Sequence, residues 1–258
     1  VNGSACGSSC SYASEFNNAV IIRLKMKNII AQFKINNYEV FALKVLEDNI
    51  VYFICLNNKA ILIDAGESKP ILEFIDKNNI QLMQILITHN HYDHVSGCQR
   101  LLDLYGVHSR SPAVAEEEIS ILQTKCEVIA TPGHSAIHKS FYFPQLKIVF
   151  TGDLLINGGC GRVIDGTMEQ LYNSLGKITS LPESTIVFGG HDYLESNLLF
   201  SQSIKPHSDI LSKRLSSYNS DPQKALFMSL KNEISSNIFL NCESLEQFTE
   251  LRIKKDLF

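Results

Sequence analysis

The chain has 258 residues, of which 45% are hydrophobic and 19% are charged, and its formal net charge is −4. This length fits one large domain, or a domain with a smaller appendage, and the composition is that of an ordinary globular protein. The small negative charge argues against a nucleic-acid partner, and no apolar stretch is long enough to span a membrane. Seven cysteines without regular spacing indicate reduced thiols in a cytoplasmic protein rather than a disulfide framework.

Residues 1–37 differ in composition from the rest, and we expect an N-terminal extension that is flexible or partly non-native. Residues 1–14 are rich in Gly, Ser and Cys, which indicates disorder. The stretch that follows is basic and nearly free of acids, so organellar targeting is an open alternative. Met26 is a candidate for the natural first residue.

Short apolar runs then alternate with helical patterns. The runs 51–56 and 60–63 flank the polar segment 57–59 and predict a β-hairpin. Ser68 is expected to cap a helix through residues 70–75. Further strands are predicted at 85–87, 127–130, 147–150 and 185–188.

The last third of the chain is predicted to be mainly helical. Thr167 with Gln170 forms a capping-box signature that opens a helix over 168–177. Helical patterns at 195–203 and 210–218 follow the last strand. We therefore divide the chain into an extension (1–37), a catalytic domain (38–193) and a helical substrate-binding domain (194–258).

Side chains that can bind metal lie where four of the apolar runs end. They are His89, His91, Asp93, His94, His134, Asp153 and His191. In each case a Thr or Gly breaks the strand, and the candidate ligand appears in the loop. Loops at strand ends converge above a sheet, so we expect these side chains to meet at one place.

The spacing within the first group suggests two ions. His89 and His91 alternate by two, whereas Asp93 and His94 are adjacent and point elsewhere. Imidazole with carboxylate suits zinc, and iron and manganese accept the same set. A site with two divalent ions makes hydroxide at neutral pH, which predicts a metallohydrolase. Asp93 and Asp153 are the expected catalytic residues, because they hold the ions and can accept a hydrogen bond from the nucleophile.

Other polar residues have more ordinary interpretations. His108 and His207 are expected to be structural, and His138, four residues after His134, is expected to support the metal site rather than simply to pack. Cys160 could be a nucleophile, but the nearby histidines are committed to metal. We favour a small residue in a tight loop. Asp153 by itself would be taken for a turn-capping residue.

The set of candidate ligands resembles that of the metallo-β-lactamase superfamily. The motif His-x-His-x-Asp-His occupies 89–94, and His134, Asp153 and His191 follow it. This resemblance implies an α/β protein with an αββα sandwich, followed by a small helical C-terminal domain. The superfamily includes several chemistries, so the fold alone does not choose the reaction.

Segments around the ligands are similar to a narrower family, glyoxalase II or hydroxyacylglutathione hydrolase. They are 151–155, 159–162, 165–172, 190–193 and 251–256. The resemblance implies one ion held by His89, His91 and His134. A second ion would be held by Asp93, His94 and His191, with Asp153 as the bridge.

The family resemblance also implies the substrate. The expected reaction is hydrolysis of the thioester of S-D-lactoylglutathione, or of a related 2-hydroxyacylglutathione, by hydroxide shared between two metal ions. Positions that hold glutathione in the family correspond to Arg162, Tyr193, Arg252 and Lys255. Glutathione carries two carboxylates, for which Arg offers a fork and Lys a point charge. The ordinary interpretation of the last two is a solvated helix end.

Some positions depart from the family pattern. Ile164 stands where the family has Tyr or Phe, and Ile50 stands where it has Tyr. Two alternatives therefore stay open: a glutathione-persulfide dioxygenase with one iron, and a metal-bearing binding module without catalysis. We expect a monomer with no nucleic-acid or membrane partner.

Overall fold

A computed structural model of the chain describes residues 28–110 and 117–258. Within them, two six-stranded sheets and a short hairpin are present. The first sheet has the strand order β1 (Ile29–Ile35), β2 (Tyr38–Val45), β3 (Asn49–Leu56), β4 (Lys59–Ile63), β5 (Gln81–Leu86) and β6 (His108–Arg110). Strands β1 to β4 pair antiparallel, and β4, β5 and β6 pair parallel.

The second sheet faces the first. Its strands, in chain order, are β7 (Glu117–Ile121), β8 (Thr124–Ala130), β9 (Lys139–Phe143), β10 (Ile148–Gly152), β13 (Ile186–Gly189) and β14 (Met228–Ser229). Strands β10 and β13 are parallel and lie side by side, so their carboxyl ends meet at one edge. Between them in the chain lies a separate hairpin of β11 (Leu155–Ile156) and β12 (Gly159–Cys160).

Helices cover both sheets and form most of the C-terminal part. The helices are α1 (Ser68–Asn78), α2 (Tyr92–Val95), α3 (Cys98–Tyr105), α4 (Met168–Thr179), α5 (Leu194–Ile204), α6 (Asp209–Ser220), α7 (Pro222–Leu226), α8 (Leu230–Ser236) and α9 (Leu245–Asp256). A 3-10 turn, Ile238–Asn241, joins the last two. None of the helices in the described ranges is both long enough and apolar enough to cross a membrane.

Strand β3 shows why its apolar run is continuous. Ile50 and Tyr52 pack in the core between the two sheets, whereas Val51 and Phe53 pack against the core formed with helix α1. A strand that is buried on both faces needs apolar residues at every position. The predicted αββα sandwich with a helical C-terminal region is confirmed.

The predicted extension is wrong for residues 29–35, which form β1. Phe33 is fully buried between the sheets, and its ring contacts those of Phe188 and Phe227. The basic stretch just before this strand masked the apolar alternation of Ile29, Ala31 and Phe33. Residues 1–27, including Met26, lie outside the described residues.

The C-terminal region shares the core of the sandwich. Phe227 packs on Phe33 and Phe188, and strand β14 pairs antiparallel with β13. The helices of residues 194–258 are thereby attached to the same sheet that carries part of the predicted metal site.

Three local predictions from the sequence, a hairpin and two helix caps, have different outcomes. The β3–β4 hairpin is confirmed, and so is the capping box of Thr167 and Gln170. The cap at Ser68 is wrong by one residue, because Glu67 is the N-cap and Ser68 is the first helical residue. The Glu67 carboxylate does not cap its own helix; it accepts a hydrogen bond from Leu46 N at 3.0 Å.

Candidate metal centre

The structure brings all seven predicted ligand side chains together. Those of residues 89–94 come from the end of β5 and from the short helix α2. His134 lies in the loop between β8 and β9. Asp153 and His191 follow the adjacent ends of β10 and β13. The side chains form three overlapping groups, each with its ligand atoms within 4.8 Å of one another: His89, His91 and His134; His89, His94 and Asp153; and Asp93, His94 and His191.

Asp153 lies between the two halves of this cluster. Its Oδ1 is 3.3 Å from His94 Nε2, and its Oδ2 is 3.2 Å from His191 Nε2. The same Oδ2 is 3.5 Å from His134 Nε2, which belongs to the other group. This carboxylate can therefore contact ions on both sides.

Hydrogen bonds behind the histidines set which ring nitrogen faces the cluster. His94 Nδ1 donates to Asp64 Oδ2 at 2.8 Å, and His191 Nδ1 donates to Asp48 Oδ1 at 2.8 Å. His134 Nδ1 donates to the carbonyl of Arg162 at 2.8 Å. Because each Nδ1 carries the proton, each Nε2 presents a lone pair to the cluster.

His89 is oriented through a relay. Thr88 Oγ1 donates to Asp64 Oδ2 at 2.8 Å, so it can accept from His89 Nδ1 at 3.0 Å. His89 Nε2 is then a buried lone pair, and it has no hydrogen-bond partner within the described residues. The Asp64 carboxylate thus orients both His89 and His94.

These lone pairs fit a cation. His94 Nε2 and His191 Nε2 face each other at 3.3 Å, and two carboxylates lie beside them. Converging lone pairs repel one another unless a cation or a proton lies between them. Imidazole nitrogens and carboxylate oxygens with hydrogen bonds behind them are the donors that divalent ions such as zinc prefer.

The pKa values of the clustered side chains reflect a competition between burial and neighbouring charges. Burial lowers the pKa of His89, so this ring is neutral and free to bind metal. Burial also lowers the pKa of His191, but the hydrogen bonds and charges of Asp153 and Asp93 together outweigh burial and raise that pKa to about 10. The pKa of Asp153 stays well below its ordinary value because His94 and His191 outweigh the effect of burial. His191 therefore holds a second proton near neutral pH, and a divalent ion that binds here must displace it.

Two supporting roles could not be assigned from sequence spacing. Asn49 Nδ2 donates to Asp93 Oδ2 at 2.8 Å and holds that carboxylate toward the cluster. His138 was expected to support the metal site, and its Nε2 accepts from Asp153 N at 3.2 Å while its ring stacks on His89. Its support therefore goes to Asp153 and His89.

Profiles of known families match almost the whole described chain. A profile of the metallo-beta-lactamase superfamily matches residues 49–121 and 115–191, and one of the hydroxyacylglutathione hydrolase C-terminus matches 192–258. A hydroxyacylglutathione hydrolase of Pelagibacter ubique is 35% identical over 238 residues, covering 85% of this chain and 100% of that protein. Another, of Haemophilus ducreyi, is 34% identical over 234 residues, covering 85% and 99%. The chain belongs to the hydroxyacylglutathione hydrolase family.

Solved structures agree with this family at the level of the fold. The BLEG-1 B3 metallo-beta-lactamase is 19% identical with a TM-score of 0.61, covering 79% of this chain and 100% of that chain. ETHE1 from Myxococcus xanthus is 21% identical with a TM-score of 0.59, covering 92% and 91%. TTHA1623, solved in a di-iron-bound form, is 27% identical with a TM-score of 0.50, covering 58% and 90%.

The four residues predicted to hold glutathione in this family differ in their surroundings. The side chains of Arg162 and Tyr193 are exposed, and the Tyr193 ring stacks on that of His191 with the ring centroids 4.7 Å apart. Lys255 Nζ donates to Ser196 O at 2.9 Å, beside the first turn of α5. Arg252 is not the open cation that the sequence suggested, because it is only 4% exposed.

The guanidinium of Arg252 has partners inside the protein. Its Nη1 donates to Cys160 O at 2.8 Å and its Nη2 donates to Asp256 Oδ1 at 2.9 Å. In this geometry Arg252 joins helix α9 to strand β12. Its direct contact with glutathione stays a prediction.

Cys160 and Ile164 lie along the same segment. Cys160 is buried in β12, and burial raises the pKa of its thiol to about 11, which agrees with a packing role rather than a nucleophilic one. Ile164 is exposed, and its backbone N–H donates to His134 O at 2.9 Å. The position without the family's aromatic ring therefore lies at the edge of the metal cluster.

Proposed function

We propose that this chain hydrolyses the thioester of a 2-hydroxyacylglutathione, with S-D-lactoylglutathione as the expected substrate, to the hydroxy acid and glutathione. The observation that carries the proposal is the seven-ligand cluster in a chain whose C-terminal part matches the hydroxyacylglutathione hydrolase profile. Relatives of that name align with 85% of the chain. Their alignment supports both parts of the site, the metal cluster and the region that would hold glutathione.

The proposed cofactor is a pair of divalent ions, with zinc as the first choice and iron or manganese as alternatives. His89, His91 and His134 would hold one ion, and Asp93, His94 and His191 the other, with Asp153 between them. When bound, such ions lower the pKa of water toward neutrality and polarise a carbonyl oxygen. The di-iron form of the related TTHA1623 supports two ions in this fold.

The chain's own residues orient the reaction. Asp153 and Asp93 can each accept a hydrogen bond from the attacking water and turn its lone pair toward the thioester carbonyl. Asn49 keeps Asp93 in place through the 2.8 Å hydrogen bond. The leaving group is a thiolate, which departs without a general acid. Because every proposed residue comes from one chain, we propose a monomeric catalytic unit.

The compartment is part of the proposal. The five cysteines in the described ranges are free thiols, which supports a reducing compartment such as the cytoplasm. The proposed hydrolysis requires neither the cytoplasmic location nor the monomeric state.

The decisive assay follows thioester hydrolysis. Purified protein loaded with zinc should consume S-D-lactoylglutathione and release free glutathione, and a chelator should stop the reaction. Oxygen consumption with glutathione persulfide would instead indicate the dioxygenase. Absence of both activities in protein that holds its metal would favour the binding module.

The proposed contacts of Arg252 and Lys255 with glutathione predict a change in KM. Lys255→Ala should raise KM for S-D-lactoylglutathione about tenfold with little change in kcat, because one charge-assisted contact to a carboxylate is lost. Arg252→Ala should also raise KM, with a lower melting temperature because Arg252 is buried. Lys254→Ala, at an exposed neighbouring position, is the control and should behave as the parent protein. An unchanged KM in both Lys255→Ala and Arg252→Ala would rule out the proposed contacts of these residues with glutathione.

A further inference from the structure

The β11–β12 hairpin connects two parts of the metal centre. It begins two residues after Asp153 and ends two residues before Arg162, whose carbonyl accepts from His134 Nδ1 at 2.8 Å. At its base, Gly161 N donates to Leu154 O, and a Cβ on Gly161 would lie 1.9 Å from the Asp153 carbonyl oxygen. A movement of the hairpin would therefore shift the backbone that holds both Asp153 and His134.

Side chains of the C-terminal region hold the hairpin by hydrogen bonds to its backbone at successive residues. Asn197 donates to the carbonyls of Ile156 and Asn157, and Glu233 accepts from the N–H of Gly158. The next two carbonyls are also occupied, with Asn237 donating to that of Gly159 and Arg252 to that of Cys160. These distances are 3.3, 3.1, 3.0, 2.9 and 2.8 Å, in that order.

A buried ion pair lies at the centre of these contacts. Glu233 on α8 is fully buried and Arg214 on α6 is 4% exposed. Arg214 Nη2 bonds Glu233 Oε1, and Nη1 donates to Ser236 Oγ at 2.7 Å. The other carboxylate oxygen of Glu233 faces the hairpin and accepts from Gly158 N. The hairpin tip packs closely against α5, since a Cβ on Gly158 would lie 3.1 Å from Leu194 Cδ1.

Stability alone is a weak reason for such a pair. Burying two charges costs free energy, and apolar residues of similar size often stabilise a fold as well or better. An apolar residue at position 233, however, could not accept the N–H of Gly158. The pair therefore supplies a fixed acceptor for the hairpin tip.

We propose that Glu233, fixed by Arg214, is a positioning residue for the metal centre. It holds the β11–β12 hairpin, and the hairpin in turn fixes the Arg162 carbonyl that orients His134 and the backbone of Asp153. The helical region would thus set how tightly the metal is held, in addition to contacting substrate. This inference rests on the proposed metal centre, and it is independent of which thioester is hydrolysed.

The test compares two variants in metal-loaded protein. In Arg214→Met/Glu233→Met the charges are replaced together, so no unpaired charge is left and the fold is kept. Its zinc should be lost to a chelator about tenfold faster than in the parent, the lower end of the effect of partners behind metal ligands. With S-D-lactoylglutathione, kcat should fall while KM changes little, because His134 and Asp153 are displaced rather than the glutathione contacts.

Ile75→Ala is the matched control for stability. Ile75 is buried in the core between α1 and the first sheet, away from the hairpin. This variant should lower the melting temperature through its cavity and leave zinc loss and kcat unchanged. Glu233→Gln is a second test variant that keeps an oxygen able to accept the Gly158 N–H, so at temperatures where it is folded it should lose zinc more slowly than the double variant.

The outcomes separate the two proposals. Parent-like zinc loss in the folded double variant would overturn the role of Glu233, and so would equally fast zinc loss in Ile75→Ala. If the parent chain binds zinc but does not hydrolyse the thioester, the proposed function fails. The zinc measurement still decides the role of Glu233 in that case.

Discussion

Replacing Asp153 by Asn should lower kcat by about a thousandfold, an effect of the size expected when a charged group that holds catalytic metal is lost. Both of its carboxylate oxygens are used, since Oδ1 is 3.3 Å from His94 Nε2 and Oδ2 is 3.2 Å from His191 Nε2. An Asn side chain has one oxygen and no charge, so it can face one group but cannot bridge two. We expect the variant to keep at most one metal equivalent.

The measurement pairs steady-state kinetics with metal content. Asp153→Asn and the parent would be loaded with zinc, dialysed and assayed with S-D-lactoylglutathione. Asp209→Asn, an exposed acid on α6, is the control and should keep two equivalents and parental kcat. A folded Asp153→Asn protein with two tightly held ions and parental kcat would contradict the bridging role.

Sequence reasoning found the ligands because they interrupt an apolar pattern. His89, Asp153 and His191 each follow a buried strand, where a polar side chain stands out. The strands end at the same edge of their sheets, so the loops after them could be expected to converge. For this reason the metal cluster was easier to predict than any single loop around it.

The partners behind the ligands gave no such signal. Asp64 orients His89 and His94, yet in the sequence it is one acid after an apolar run. Asp48 and Asn49 lie more than 140 residues from His191, although Asp48 bonds its Nδ1. A hydrogen bond between distant positions has no periodicity, so only the folded chain reveals it.

Burial of charge was the second point that the sequence could not supply. Arg252 lies on a helix rich in charged residues, where a solvated position is the ordinary expectation. The carbonyl of Cys160 and the carboxylate of Asp256 make burial tolerable by accepting from Nη1 and Nη2, whereas Nε has no hydrogen-bond partner among the described residues. The buried ion pair of Arg214 and Glu233 was not predictable either, because the two residues meet only when α6 and α8 pack together.

Removing the metal should abolish thioester hydrolysis and lower the melting temperature of the protein. Ligand held at about a thousand times its dissociation constant stabilises the folded state by about 4 kcal/mol. For a chain of this size, 1 kcal/mol shifts the melting temperature by roughly 2–4 °C, so we expect a loss of about 10 °C. The metal-free folded protein is less stable because the buried lone pairs of His89, His94 and His191 then face one another or must take up protons.

The experiment is thermal unfolding of loaded protein, of chelated protein, and of chelated protein given zinc, iron or manganese one at a time. The ion that restores both activity and melting temperature identifies the working cofactor. Asp153→Asn should show a smaller shift on loading, because it lacks the carboxylate shared by the two groups. The contrary result would be a full melting temperature in protein that holds less than about a tenth of a metal equivalent, roughly the background of residual metal. In that case hydrogen bonds alone would stabilise the cluster. Because the His94 and His191 nitrogens lie 3.3 Å apart with their other ring nitrogens already bonded to Asp64 and Asp48, we expect the opposite.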